Sequence, residues 1–414
     1  MYMNFAKRYL MVLCAVTVTA VAVPAPAAAA AAGTKLSRGV WVTVFSEKKV
    51  HFSKKSALEL VSFCADNGID TIYLQIYRAG EAWYDSRVAG RKRYEAMVAA
   101  AGSDPIDLLI DEAGKRGINV HGWLNVLSLA QNTDAPIVRK YGRGVLTRDQ
   151  RGRLPLKCNQ GEDQIFLEPG DERVVRFTIA LIGEVMDRYP SLSGIHLDYI
   201  RYPKAAPPGG LLFLREPGVS YGFAERNVAR FKLAAGKNPW EDPGSREWDA
   251  WKKQQVTGLL EKIRAAVKKG APAWKLSCAV VPSPEKAAAT SAQEWPQWLK
   301  RGTVDYVVLM NYTRDVNAFI EAARLASAIG DAAQIHVGIA VYMLKNMTWI
   351  LQKKLQRLEA LNPGGIVFFA YDDICRKGIS NVLNGSPASL KTDDAQKRTK
   401  TRPAKRAKKA KKKK

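Results

Sequence analysis

Residues Gly194 to Pro203 read GIHLDYIRYP. The stretch begins as an apolar strand and ends on a carboxylate, Asp198. Tyr199, Arg201 and Tyr202 follow, and then Pro203, which has no N–H to continue strand pairing. A strand that delivers a carboxylate among aromatic and basic groups is a candidate for acid–base or nucleophilic chemistry. The bland alternative is a core strand ended by a capping Asp, since Asp is common in turns. Other strand ends carry the same residue types. Gln75, Tyr77, Arg78, Glu81 and Trp83 stand at or after a second apolar run, and His121, Trp123 and Asn125 lie on a third. His196 precedes Asp198, Glu285 follows a fifth run, Asn311 and Tyr312 close a sixth, Tyr342 closes a seventh, and Tyr371 and Asp372 close an eighth. Sugar rings stack on Trp and Tyr, and their hydroxyls pair with amides and carboxylates, so this set suits a polysaccharide. Cleaving a glycosidic bond needs two carboxyls, one to protonate the leaving oxygen and one as nucleophile or base. Asp198 fills one role, and Glu81 and Glu285 are the candidates for the other. Asp372 stands at the correct strand end but could equally cap a helix, whereas Asp305 opens its strand and belongs to the opposite end.

Several chemistries are unsupported. The chain has no GxSxG, no phosphate-binding glycine loop and no cysteine in a reactive context. His121 and His196 are single histidines on apolar strands without metal-ligand spacing, so neither a metal nor another cofactor is expected. The cysteines are far apart and form no CxxC, and Cys278 reads as an inert core residue.

The elements that would position these groups alternate along the chain. Expected strands cover Arg38–Phe45, Ile69–Tyr77, Ile118–Leu127, Gly194–Ile200, Trp274–Val281, Val304–Tyr312, Ile335–Tyr342 and Gly365–Asp373, with amphipathic helices between them. Continuous apolar strands separated by such helices imply a parallel sheet covered on both faces. Eight βα units over this length imply a closed (β/α)8 TIM barrel, whose chemistry lies at the C-terminal ends of the strands. The longest insertions follow the third and fourth strands and flank Asp198.

The ends of the chain differ from its body. Lys7 and Arg8, an apolar run from Leu10 to Val23 and an alanine-rich stretch read as a signal peptide over residues 1–32, which implies export to the periplasm or the cell exterior. The run is shorter than the roughly 20 residues of a spanning helix. The barrel domain is expected over residues 36–385, and residues 386–414 form a Lys/Arg-rich tail too polar to fold. From Lys391 to Lys414 the tail holds 13 Lys/Arg against 2 Asp, part of a net charge of +25. Such charge favours an anionic envelope polymer or membrane surface as partner. Export argues against nucleic acid, and a monomer is expected.

The ordered set RGVWVTVF, DTIYLQIYRAGEAWYDS, DPIDLLIDEAGKRGINVHGWLN, GIHLDYIRYP and VDYVVLMNYT resembles the glycosyl-hydrolase-like family 10 barrels over roughly Leu36 to Ser380. The family includes a bacterial envelope enzyme that cuts peptidoglycan glycan strands lacking stem peptides. The resemblance implies a TIM-barrel glycosidase centred on Asp198, with Gln75, His121, Trp123, Asn125 and His196 as cleft residues. This chain carries Glu81 where the family often has Asp, Val126 where it has proline, and Tyr199 where it has a second Asp, which leaves the second carboxyl open between Glu81 and Glu285. Two other readings compete. One is a non-catalytic glycan-binding barrel, and the other is a polyanion-binding protein in which the tail is the working part.

Overall fold

The computed structural model describes residues 36–155, 164–204, 219–344 and 347–384. The expected signal segment, the basic tail and Cys158 lie outside the described residues. Cys64, Cys278 and Cys375 are free thiols. Among the described residues, no helix is long and apolar enough to cross a membrane.

The order of elements begins with β1 (Ser37–Val42), α1 (Lys54–Asp66), β2 (Thr71–Arg78), β3 (Glu81–Ala82), α2 (Lys92–Ala101), α3 (Pro105–Lys115) and β4 (Asn119–Asn125). It continues with α4 (Pro136–Tyr141), α5 (Glu172–Arg188), β5 (Gly194–Asp198), α6 (Glu225–Ala235), α7 (Arg246–Gly270), β6 (Lys275–Val280), α8 (Pro284–Ser291) and α9 (Trp295–Lys300). The last elements are β7 (Tyr306–Met310), α10 (Val316–Ser327), β8 (Ile335–Ala340), α11 (Thr348–Leu361), β9 (Gly365–Phe369), α12 (Tyr371–Ile374) and α13 (Lys377–Leu383). The sheet runs β1-β9-β8-β7-β6-β5-β4-β2-β3, and β1 also pairs with β2. That pairing closes eight parallel strands into a (β/α)8 barrel. The ninth strand, β3, is a two-residue antiparallel appendage on β2.

Most expected strands are a few residues too long, mainly at their C-terminal ends. The apolar run continues past the last ladder bond, so periodicity overestimates the strand. Tyr371, Asp372 and Asp373 belong to the short helix α12 rather than to the eighth barrel strand. Glu285 sits on α8, which follows β6 and precedes α9.

Helix starts obey local chemistry. Asp104 caps α3 by accepting from Ile106 N at 2.9 Å, with Pro105 as the first helical residue. The same carboxylate accepts from Arg188 at 2.6 Å and from the Tyr189 hydroxyl at 2.8 Å, which ties α3 to α5.

The barrel interior is filled by rings. Trp41, Tyr73, Trp123, Val308 and Val367 form an inner cluster distinct from the larger core beneath the helices. Two glycines make this possible. A Cβ on Gly194 would stand 2.8 Å from the His121 ring, and one on Gly365 would stand 2.6 Å from the His336 ring.

The two insertions sit against each other beyond the strand ends. Ser128 bridges Phe166 and Leu146 bridges Leu167 within the first, and Asp149 bridges Tyr221 of the second. The first insertion is also closed on itself just beyond β4, because Leu167 N donates to Leu127 O at 2.8 Å.

Candidate active site

Side chains on a strand face alternate sides, so every second residue enters the barrel. On β4 these are His121, Trp123 and Asn125. On β5 they are Gly194, His196 and Asp198. Register aligns His121 with Gly194, Trp123 with His196 and Asn125 with Asp198. Depth therefore separates two layers, a buried floor and a mouth.

The floor holds the histidines. The Trp41 indole N–H donates to His196 Nε2 at 3.1 Å. Nδ1 therefore carries the proton of the neutral ring and donates to Ser277 Oγ at 2.9 Å. His121 lies 3.4 Å from the Tyr306 hydroxyl, which in turn meets the Tyr73 hydroxyl at 3.0 Å. Tyr306 stacks on His336 with ring centroids 4.3 Å apart. Burial holds all three histidines neutral. It lowers His121 to about 3 and His336 to about 4, and it lowers His196 well below the usual range. His121 and His196 were expected in the cleft, and the structure buries them beneath it. The inward period is the same for both layers, and only distance along the strand distinguishes floor from mouth.

The mouth centres on Asp198, the only half-buried residue of β5. Its Oδ1 accepts from Tyr199 N at 2.7 Å, and its carbonyl accepts from Val126 N at 2.9 Å. Tyr199 adopts φ 55°, a left-handed conformation that costs a non-glycine residue on the order of 1–2 kcal/mol. Such strain is concentrated at functional sites. The Tyr199 ring packs 5.8 Å from Phe166, and Gln164 donates to its hydroxyl at 3.3 Å. Asn125, beside Asp198, accepts from Gln75 Nε2 at 3.1 Å, while Gln75 Oε1 takes Val44 N at 3.2 Å. Tyr312 lies close enough that Asp198, Tyr342 and Tyr199 add to the burial that raises its phenol well above the ordinary value.

An aromatic platform lies opposite. The Phe369 ring is 5.8 Å from Trp41, 6.4 Å from Trp123, 5.9 Å from Tyr312 and 6.1 Å from Tyr342. The Trp123 indole N–H is buried and unpartnered among the described residues, leaving a donor beneath this surface. Tyr342 is 44% exposed and Phe45, after β1, is 64% exposed.

Other expected site residues are placed elsewhere. Tyr77 is fully buried, its ring 6.5 Å from Phe177 of α5, because the β2 register shifts after Gln75 and turns it outward. Trp83 packs 6.5 Å from His51. Arg201 lies behind the mouth over the Tyr199 and Phe166 rings, 4.8 and 5.5 Å from their centroids. Asn311 donates to Phe319 O at 2.8 Å and ties β7 to α10. Tyr371 packs against Phe63 of α1 at 5.6 Å, outside the barrel. Asp372 accepts from Ser46 Oγ at 2.7 Å and holds the loop after β1.

The candidate second carboxyls differ. Glu81 turns toward Gly90, where a Cβ would stand 2.1 Å from Oε1, and its buried Oε2 has no partner among the described residues. Glu285 is exposed in the first turn of α8 and accepts from Ser283 Oγ at 2.8 Å. Hydrogen bonds from its own backbone and from Ser283 lower its carboxyl, the wrong direction for an acid at neutral pH.

Sequence reasoning missed Phe45, Phe369 and Glu168. Phe369 occupies an inward position of an apolar strand and was open to a period-two reading. Glu168 has no local signal. It is fully buried in the first insertion and accepts from the Tyr202 hydroxyl. Burial, opposed by hydrogen bonds, pushes its carboxyl up to about 7. Tyr202, expected at the cleft, thus clasps the chain just after Asp198 to the first insertion.

A closed barrel with a half-buried carboxylate, amides and an aromatic platform at its C-terminal mouth is the architecture of TIM-barrel glycosidases. The chain belongs to the glycosyl hydrolase-like 10 family, whose model matches residues 36–352. It is 22% identical over 338 residues to glycosyl hydrolase DigH of Escherichia coli K12, covering 74% of this chain and 73% of that protein. It is 21% identical over 309 residues to glycosyl hydrolase YngK of Bacillus subtilis, covering 66% of this chain and 54% of that protein. Among solved structures, the catalytic domain of a Paenibacillus polymyxa β-amylase superposes with a TM-score of 0.56 at 11% identity, covering 86% of this chain and 97% of that one, a likeness of fold.

Proposed function

We propose that the protein is an exported glycoside hydrolase that cleaves a cell-envelope polysaccharide, peptidoglycan glycan strands being the substrate that best fits. The observation that carries this reading is Asp198 at the mouth of the barrel, its carboxylate fixed by the strained Tyr199 turn and faced by Tyr312, with Phe369 and Tyr342 behind. Asp198 acts as nucleophile or charge stabiliser. Glu81 supplies the acid from the β2–β3 hairpin, one of its buried oxygens having no partner among the described residues. The sugar stacks on the aromatic platform, and Asn125 and Gln75 orient its hydroxyls. The apolar segment near the N-terminus directs export, and the basic tail holds the monomeric enzyme on an anionic polymer or membrane surface.

Reducing-end release from purified sacculi, with and without stem peptides, tests the reading. Release by the wild type and its loss by about a thousandfold in Asp198→Asn is the expected result. No release from any envelope glycan would sink it.

The rival reading is a glycan-binding barrel without catalysis. It is favoured by Glu81 turning toward Gly90 and by the exposure of Glu285. Tight binding of the same glycans with no release would establish it.

A further inference from the structure

A groove of about 210 Å3 lies on the outside of the barrel, between α5 and α7, with Arg230 of α6 at its edge. Both flanking helices begin after the insertions that follow β4 and β5, so their first turns lie at the same end of the barrel as Asp198. Val175 and Leu259 give the groove an apolar side. Along α7 it is lined by Trp251, Gln254, Gly258 and Lys262, spaced three and four residues apart and therefore on one face of the helix. Trp251 is half-buried and its indole is held in place. Its N–H donates to Asn227 Oδ1 at 2.9 Å, and the Phe231 ring meets it edge-on at 5.7 Å. The Arg230 guanidinium lies 5.5 Å from the indole centroid and donates to Gly170 O. Gln254 and Lys262 are exposed, and between them Gly258 leaves the helix surface open, since a Cβ there would meet nothing within 4 Å. These residues stand on the outer helices, apart from the barrel strands that carry Gln75, Asn125 and Asp198.

We infer that this groove is a second glycan-binding site, which holds one sugar ring of a polysaccharide strand against Trp251, away from the bond that is cut. The half-buried indole offers apolar surface to a pyranose ring, and its fixed position lowers the ordering cost of binding. Gln254 both donates and accepts, and Arg230 and Lys262 donate, which matches a ring that carries several hydroxyls. The groove is smaller than the roughly 300–1,000 Å3 of a pocket that encloses a whole small molecule, so it suits a single ring of a longer chain. An anionic lipid surface fits less well, because the exposed carboxylate of Glu172 lines the same groove and would face the headgroups. A strand held at the groove is presented to the mouth at a raised local concentration, so the site acts on polymers and not on short fragments. The identity of the polymer rests on the glycosidase reading, whereas the chemistry of the groove does not.

The test uses the full-length chain. Co-sedimentation with purified sacculi freed of stem peptides is measured on an Asp198→Asn parent, which leaves the polymer intact, in about 0.5 M salt to screen the basic tail. Trp251→Ala removes the platform and Gly258→Leu fills the groove. Each is expected to weaken binding about tenfold, and Trp251→Phe to keep part of it. With Asp198 restored, the same two substitutions should lower reducing-end release from the sacculi about tenfold and leave release from a soluble tetrasaccharide of the same glycan within about twofold. Unchanged binding in either variant, or a loss as large on the tetrasaccharide as on the sacculi, overturns the inference. Gly258→Leu places a good helix former in open space, so it still decides if the Trp251→Ala protein does not fold. Trp251-dependent binding to vesicles of phosphatidylglycerol and phosphatidylethanolamine, with binding to sacculi independent of Trp251, overturns the choice of glycan. Trp251-dependent binding without release from either substrate sinks the hydrolase reading alone, whereas release without dependence on Trp251 sinks the groove inference alone.

Discussion

His196 and Asp198 stand two residues apart on one strand, both facing into the barrel, and their environments are opposite. His196 is fully buried, with both ring nitrogens engaged by Trp41 and Ser277. Asp198 lies one layer higher, half-buried, held by the turn that follows it and open to the mouth. The lower layer neutralises its histidines by burial, and the upper layer sets a carboxyl group at the solvent boundary. In a parallel barrel, one step of the inward period separates packing from chemistry.

The comparison breaks most visibly through the mouth. Asp198→Asn is expected to remove about a thousandfold of glycan cleavage, and Glu81→Gln about a hundredfold, with melting temperatures little changed. Kinetics alongside thermal melts check both. A floor substitution should do the reverse. His196→Ala opens a cavity under Tyr73, whose ring centroid is 4.7 Å away, and orphans the Trp41 N–H. We expect a stability loss of about 2–4 kcal/mol by denaturant titration.

Acid and base should separate the two regions further. The floor histidines fold with values lowered from about 6.5 to about 3 for His121 and about 4 for His336. Between those values and 6.5 the unfolded chain binds more protons, so stability falls as pH drops from about 6.5 toward 4. Glu168 has the opposite sign. Its folded value is raised from about 4.5 to about 7, so its contribution is present at low pH and is lost as pH rises through 7. Melting temperature against pH should therefore fall on both sides. Glu168→Gln should flatten the alkaline limb and leave the acid limb in place.

The smallest effect is expected at Glu285. It is exposed on α8, so Glu285→Gln should change stability by less than about 0.5 kcal/mol and leave the rate of glycan cleavage within about twofold. A large loss there would move the acid from Glu81 to Glu285.

Much of this was legible in the sequence. The eight apolar runs with intervening amphipathic helices specified the barrel, and the long segments after the third and fourth runs specified the insertions beside Asp198. Asn125 and Gln75 were readable as polar residues toward the C-terminal ends of their strands. Tyr77 was misread because one register shift in β2 turns it toward α5, and a bulge leaves no mark in residue types. Tyr371 and Asp372 were misread because β9 ends at Phe369 although the apolar run does not.

The sequence by itself determined the strand that carries Asp198, the closure of the barrel, and the end at which a reaction would occur. These follow from local periodicity, which any parallel barrel must satisfy. Only the tertiary structure decided depth. It placed the histidines below the reacting layer, tied Tyr202 to Glu168 across two insertions, and turned Glu81 to the space beside Gly90. Depth depends on which residues of neighbouring strands share a layer, and that is fixed by register between segments far apart in the chain.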